Sequence, residues 1–263
     1  MAYPIERIRS KVNRAKQHIE DFQLRATAFY QTHPYVIRHK EDADRGQRVF
    51  YVASLTDIPD TVASIAADAI QNLRSPLDYL ANRIETVACG SKPKHQVYFP
   101  IGKDAAHYET VRRAYIKCAG KAAIDAFDAT EPYEGGRGHA LRQLHELNKP
   151  DKHDLPLTVA GGYRAVDIMG SLRDSQAART ADIVAYEALG PLFLKPADRM
   201  CPLKVGDELF LEPLDVEVKH ERKFRFDISF HQPGVIECEP ALETLQNFAN
   251  LVDGIVTAFE PLL

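Results

Sequence analysis

The chain has 263 residues, with 37 acidic and 33 basic side chains and a formal net charge of -4. That balance excludes any global attraction to nucleic acid or to an anionic membrane surface. Hydrophobic residues make up 45%, the ordinary share for a soluble globular protein with enough chain for one large or two small units around a shared core.

The start, Met1-Ala2-Tyr3-Pro4, runs straight into an amphipathic pattern and does not read as a signal peptide. No apolar run of about 18 residues exists, so no bilayer-spanning helix is expected. Four cysteines, Cys89, Cys118, Cys201 and Cys238, are scattered without a C-x-x-C pair. This argues against a zinc ribbon or a redox motif, and the reducing cytoplasm is the compartment expected.

Ile5, Ile8, Val12, Ala15, Ile19, Phe22, Ala26 and Phe29 recur by threes and fours, which predicts a long amphipathic helix ended by His33-Pro34. Tyr35 to His39 and Gln47 to Ser54 read as two strands joined by a polar turn. Asp57 is the expected capping residue of a second helix, with Pro59 near its start. That helix carries Val62, Ala66, Ala69, Leu73, Leu77, Leu80 and Ile84 on one face, and Gly90 to Pro93 ends it.

Weaker helical segments follow around 104–128. There Arg112, Arg113, Lys117 and Lys121 form a basic cluster that reads as a solvated face. Glu134-Gly135-Gly136-Arg137-Gly138 opens a short helix with Leu141, Leu144 and Leu147 in line. The glycine run lacks a Walker lysine and reads as a flexible loop rather than a phosphate cradle. Leu155, Leu157 and Val159 suggest a strand ending at Gly161-Gly162, with Arg164 to Met169 as its return. Segments 182–193 and 208–211 suggest further strands. Val216 to Phe230 alternates with period two, the mark of a half-buried antiparallel strand. Glu239 and Pro240 are the expected start of a final helix.

The fold class expected is α+β, a bundle of the N-terminal, central and C-terminal helices packed with an antiparallel sheet. Its parts are a helical region 1–154 containing a small hairpin at 35–54, a β region 155–235, and a helix 236–263 returning to the bundle. The long helical seam is able to pair within the chain or between two copies as a homodimer, since heptad spacing alone does not separate the two.

Two polar blocks interrupt this pattern. In the first, Arg74 and Asp78 lie four residues apart on one flank of the second helix and are set to form an ion pair. Asn72 is on the opposite flank. Pro76 removes the hydrogen bond that the Asn72 carbonyl would accept, so a kink or local opening is expected there. In the second block, Leu141, Leu144, Asn148 and Asp151 fall at spacings of 3, 4 and 3, so that an apolar stripe turns polar at its end. Lys152 and His153 follow. Asn148 reads as a helix cap, as part of a buried network reaching the Arg74 flank, or as part of a site. His145, Asp151, His153 and Asp154 are ligand types, but their spacing matches no standard zinc pattern, and neither metal nor cofactor is expected. No G-x-S-x-G or H-E-x-x-H signature occurs. His33, His39, His95, His107 and His139 read as surface or loop residues.

The stretches Ala67 to Leu80 and Leu144-Asn148-Asp151-Lys152-His153, together with Tyr98-Phe99-Pro100-Ile101, resemble a large group of uncharacterised bacterial proteins. Those carry N-L-R-S-x-L-D on one helix and L-x-x-x-D-K-H later in the chain. The resemblance covers most of residues 1–260 and implies membership rather than an activity. A fainter similarity is to the HEPN superfamily, helical domains that often cleave RNA through an R-x4-6-H motif. Here Arg74 is followed by Tyr79 in place of the histidine, and tyrosine is a poor general base at neutral pH. That resemblance therefore implies Arg74 as the phosphate ligand and His145 or His153 as the catalytic acid and base. Asn72, Asp78, Asn148, Asp151 and Lys152 would be the binding residues. The sequence favours an interaction or accessory protein over an RNA-cleaving enzyme; the partner is RNA or another protein, and no membrane partner is expected.

Overall fold

The computed structural model describes residues 5–149, 157–169, 192–196, 200–216 and 221–263. Helices and antiparallel sheets pack as an α+β fold. The helices are α1 (Ile5–Gln31), α2 (Asp60–Cys89), α3 (Ala105–Tyr115), α4 (Lys121–Ala129), α5 (His139–Leu147) and α6 (Ala241–Phe259), the last closed by a 3-10 turn at Glu260–Leu262. The strands are β1 (Tyr35–Asp42), β2 (Gln47–Leu55), β3 (Val159–Asp167), β4 (Phe193–Leu194), β5 (Glu208–Pro213), β6 (Lys223–Gln232) and β7 (Ile236–Pro240).

The apolar stripes explain the main layer. Ile8, Val12, Ile19 and Phe22 of α1, Leu73, Leu77, Leu80 and Ile84 of α2, and Leu245, Phe248, Val252 and Phe259 of α6 form one continuous core. The seam of α1 is thus buried inside the chain. Fully burying side chains of this size contributes about 1.5–3 kcal/mol each, so this three-helix contact is the mechanical base of the molecule. Among the described residues no helix is long and apolar enough to cross a membrane.

The strands form two sheets, ordered β1-β2-β5 and β4-β3-β6-β7. The hairpin of β1 and β2 pairs through β2 with β5, Phe50 lying opposite Phe210. A buried ion cluster joins this sheet to the residue that leads into β6: Arg222 donates to Glu212 Oε1 of β5 through Nη2 at 2.8 Å, and Arg48 of β2 lies 3.5 Å from Glu212 Oε2.

Four expectations need correction. Val159 to Asp167 is one strand and not a strand with its return. Gly161 and Gly162 sit in mid-strand because a neighbouring group needs the space: a Cβ at Gly161 would overlap Tyr35 Oη. The long strand expected from Val216 begins only at Lys223, with residues 217–220 outside the described set. Asp57 does not cap α2; the N-cap is Pro59, without a side-chain hydrogen bond. Glu239 and Pro240 belong to β7, and α6 starts at Ala241. The strand expected at 182–193 lies outside the described residues apart from its last positions. There Phe193 enters β4.

Helix α2 remains helical through Pro76 and ends at Gly90, whose φ of 69° is the left-handed conformation that favours glycine at a helix C-terminus. Beside the proline, Ser75 Oγ donates to the Gln71 carbonyl at 2.8 Å, one position before the Asn72 carbonyl that Pro76 leaves without its helical donor.

Candidate functional site

The first polar block and His145 from the second meet at a buried guanidinium. Arg74 is 5% exposed. Its Nη1 donates to Asp78 Oδ1 at 2.6 Å, its Nε to His145 Nδ1 at 3.3 Å and its Nη2 to the Phe99 carbonyl at 3.5 Å. Asp78 Oδ1 also accepts the Phe99 N–H at 3.0 Å. The His145 contact requires a lone pair on Nδ1, which places the imidazole proton on Nε2. One arginine therefore joins α2, the Phe99 loop and α5. Helical spacing supplies the Arg74–Asp78 pair directly, whereas His145 arrives through the packing of Leu141, Leu144 and Leu147 against the core.

The other candidate residues divide. Asn148 is buried at the C-cap of α5. Asn72 stands apart, its Nδ2 donating to the Asp68 carbonyl at 2.8 Å. Asp151, Lys152 and His153 lie outside the described residues. The glycine run is closed from within: Arg137 N–H donates to Glu131 Oε2 and Gly138 N–H to the Glu131 carbonyl. Those two amides are occupied by Glu131, where a phosphate cradle would present them to a ligand. Of the basic cluster, Arg112 pairs with Asp128, Arg113 with Glu109 and Lys121 with Asp125.

A second buried charge on α2 was not among the sequence candidates. Glu85 is fully buried, and its oxygens accept the N–H groups of Lys117, Cys118 and Ala119 at 2.8–3.1 Å. His95 Nε2 lies 3.2 Å from Glu85 Oε2, so this histidine is part of the interior and not a simple loop residue. Next to it, Cys89 and Cys118 form a disulfide. Four scattered cysteines without a C-x-x-C pair do not foretell this bond in the sequence. The separation of 29 residues hides the pairing, which α2 and the 116–119 loop create together.

On the sheet side a cleft of about 500 Å³ is lined by Tyr30, His33, Tyr35, Arg164, Phe226 and Asp227, among others. Its volume lies within the range of small-ligand sites, about 300–1,000 Å³. The hydroxyls of Tyr30 and Tyr35 are buried there without a hydrogen-bond partner among the described residues. Burial pushes the Tyr35 phenol up to about 12, and raises Tyr30 as well, with Tyr35 and Asp227 adding to it. Arg164 spans Asp227 at 3.1 Å and Glu243 at 2.7 Å. Burial also raises the Asp227 carboxyl above its ordinary range, against the opposing pull of Arg164.

Comparison with protein-family models, with curated proteins and with solved structures returned no match.

Proposed function

We propose that this chain is an interaction protein, in which the Arg74–Asp78–His145 cluster is a structural fastening and the aromatic cleft beside Arg164 receives the partner. The observation that carries this reading is the condition of Arg74. A phosphate ligand has to offer N–H groups to an incoming anion. Here the guanidinium is buried, and Nε, Nη1 and Nη2 each already have an acceptor within the chain. Satisfied buried polar networks of this kind rigidify and specify an arrangement. The cleft offers the opposite condition, with aromatic walls and two buried hydroxyls left over, which suits an apolar segment of another protein bearing a hydrogen-bonding group.

The second reading is a HEPN-like RNA-cleaving enzyme, in which Arg74 holds phosphate and His145 moves the proton. The 3.3 Å Arg74–His145 approach supports it, because it sets an arginine and a histidine from different helices side by side. Incubating the purified chain with mixed single-stranded RNA, with and without chelator, separates the two. The interaction reading expects intact RNA in both arms. Cleavage that disappears in an Arg74→Ala variant still folded by circular dichroism would establish the enzyme instead.

Composition and the family resemblance support a bacterial, cytoplasmic setting; the Cys89–Cys118 bond argues for a compartment in which disulfides persist. Alkylating thiols in rapidly quenched cells, followed by peptide mass analysis, reads which of the two holds.

A further inference from the structure

We propose that Cys201, His231 and Cys238 form a binding site for a single zinc(II)-class metal ion, with a fourth coordination position open to the adjoining cleft.

The local backbone is unusual at one of these residues. In the β6–β7 pairing Phe230 lies opposite Glu239 and His231 opposite Glu237, so Cys238 is the extra residue of a β-bulge. Its φ is 60°, a left-handed conformation uncommon for a residue with a side chain. Such strain persists only where the surroundings hold it, and it clusters at functional positions. A bulge also re-aims a side chain. Here the Cys238 sulfur lies 3.8 Å from His231 Nδ1.

Cys201 comes from a third segment. Met200 bridges Tyr163 of β3, and the Leu203 N–H donates to the Gly161 carbonyl. These contacts lay Cys201 over Gly162, where an added Cβ would meet Ser229 Oγ at 2.9 Å and Cys201 Cβ at 3.6 Å. Glycine at that point leaves room for the cluster.

One ligand atom from each of the three residues lies within 4.8 Å of the others. Around tetrahedral zinc, with Zn–S about 2.3 Å and Zn–N about 2.0–2.1 Å, neighbouring donors stand roughly 3.5–3.8 Å apart. Small side-chain rotations close the difference. Two thiolates and an imidazole suit zinc and its soft neighbours, and not the all-oxygen cations calcium and magnesium. Three protein ligands with one open position is the pattern of reactive zinc sites rather than of closed structural ones.

Cys201 and Cys238 also line a cleft of about 340 Å³ together with Lys195, Asp227 and Glu239, so a molecule reaching the ion would meet both charge signs. At present the Cys238 thiol donates to the Cys201 carbonyl at 2.9 Å. Loading one divalent ion forms two metal–sulfur bonds and one metal–nitrogen bond, and the two thiol protons pass to buffer. The competing cluster of Glu85, Cys89 and Cys118 does not offer the same donors: both sulfurs are bonded to each other, and the carboxylate accepts backbone amides.

The test uses the full chain with the Cys89–Cys118 disulfide left intact and Cys201 and Cys238 as free thiols, stripped of metal under anaerobic buffer without reductant and titrated with zinc and separately with cobalt(II). A single zinc equivalent should bind, and cobalt-loaded wild type should show sulfur-to-cobalt charge-transfer absorption, which needs no variant. Cys201→Ser, Cys238→Ser and His231→Ala should each weaken zinc by more than the roughly 10–100-fold typical of losing an outer-sphere partner. The Cys89→Ser/Cys118→Ser double variant should keep its zinc. Absence of binding or of the charge-transfer band overturns the proposal. So does zinc binding that survives Cys238→Ser, or that disappears in the double variant instead.

Discussion

Two buried charges of α2 and two buried phenols beside β3 and β6 stand in opposite conditions. On α2, Arg74 and Glu85 are each met by several partners: one by Asp78, His145 and Phe99, the other by three consecutive backbone amides and His95. On the sheet side, the Tyr30 and Tyr35 hydroxyls have no hydrogen-bond partner among the described residues, and Cys238 holds a left-handed φ. The lesson is one of satisfaction. Saturated groups fasten elements together, whereas unsatisfied or strained ones mark where something from outside the chain is expected to act.

The sharpest way to break this comparison is to remove the most saturated group. Glu85→Ala leaves the Lys117, Cys118 and Ala119 amides without their acceptor and is expected to cost roughly 3–5 kcal/mol in urea unfolding. A loss under about 1 kcal/mol would mean that water replaces the carboxylate. Next comes the disulfide that pins the same loop. Cys89→Ser/Cys118→Ser should cost about 2–4 kcal/mol, and an unchanged midpoint would show that the Glu85 amides hold the loop alone. Arg74→Ala should cost about 2–3 kcal/mol, because Asp78 then keeps its charge with one partner fewer. Arg74→Lys should not restore the loss, since an ammonium lacks the planar fork that reaches three acceptors.

The smallest effect lies on the sheet side. Tyr35→Phe removes an unpartnered hydroxyl and should shift neutral-pH stability by no more than about 0.5 kcal/mol. Its signature is in alkali. The folded phenol is raised from its ordinary 10.0 to about 12, so its stabilising share is complete below pH 10 and is lost as pH rises toward 12. Unfolding curves across that window should slope less steeply in the variant. Equal slopes would show that other phenols, such as Tyr30, govern the alkaline limit.

Much of this molecule was legible in its sequence. The stripes on α1 and α2, the β1–β2 hairpin and the Arg74–Asp78 pair follow from local periodicity, which survives folding when one face is buried. Glu85 carried a signal that was available but unused: it lies four residues after buried Ala81 on the core face of α2. Gly161-Gly162 misled because two glycines mark a turn more often than a close approach by a tyrosine from another strand. The Cys89–Cys118 bond and the Cys201–His231–Cys238 cluster had no local signature. Their members come from separate segments, and only the register of β6 with β7 and the bridge from Met200 to Tyr163 bring the latter together.

The fastening of α2 to α5 rests on the approach of Arg74 to His145, two residues on different helices. A double-mutant cycle in urea, with Arg74→Ala, His145→Ala and the pair, reads that contact directly. A coupling energy between about 0.5 and 3 kcal/mol is predicted. Costs that add to within about 0.3 kcal/mol would contradict it and leave the two side chains energetically uncoupled.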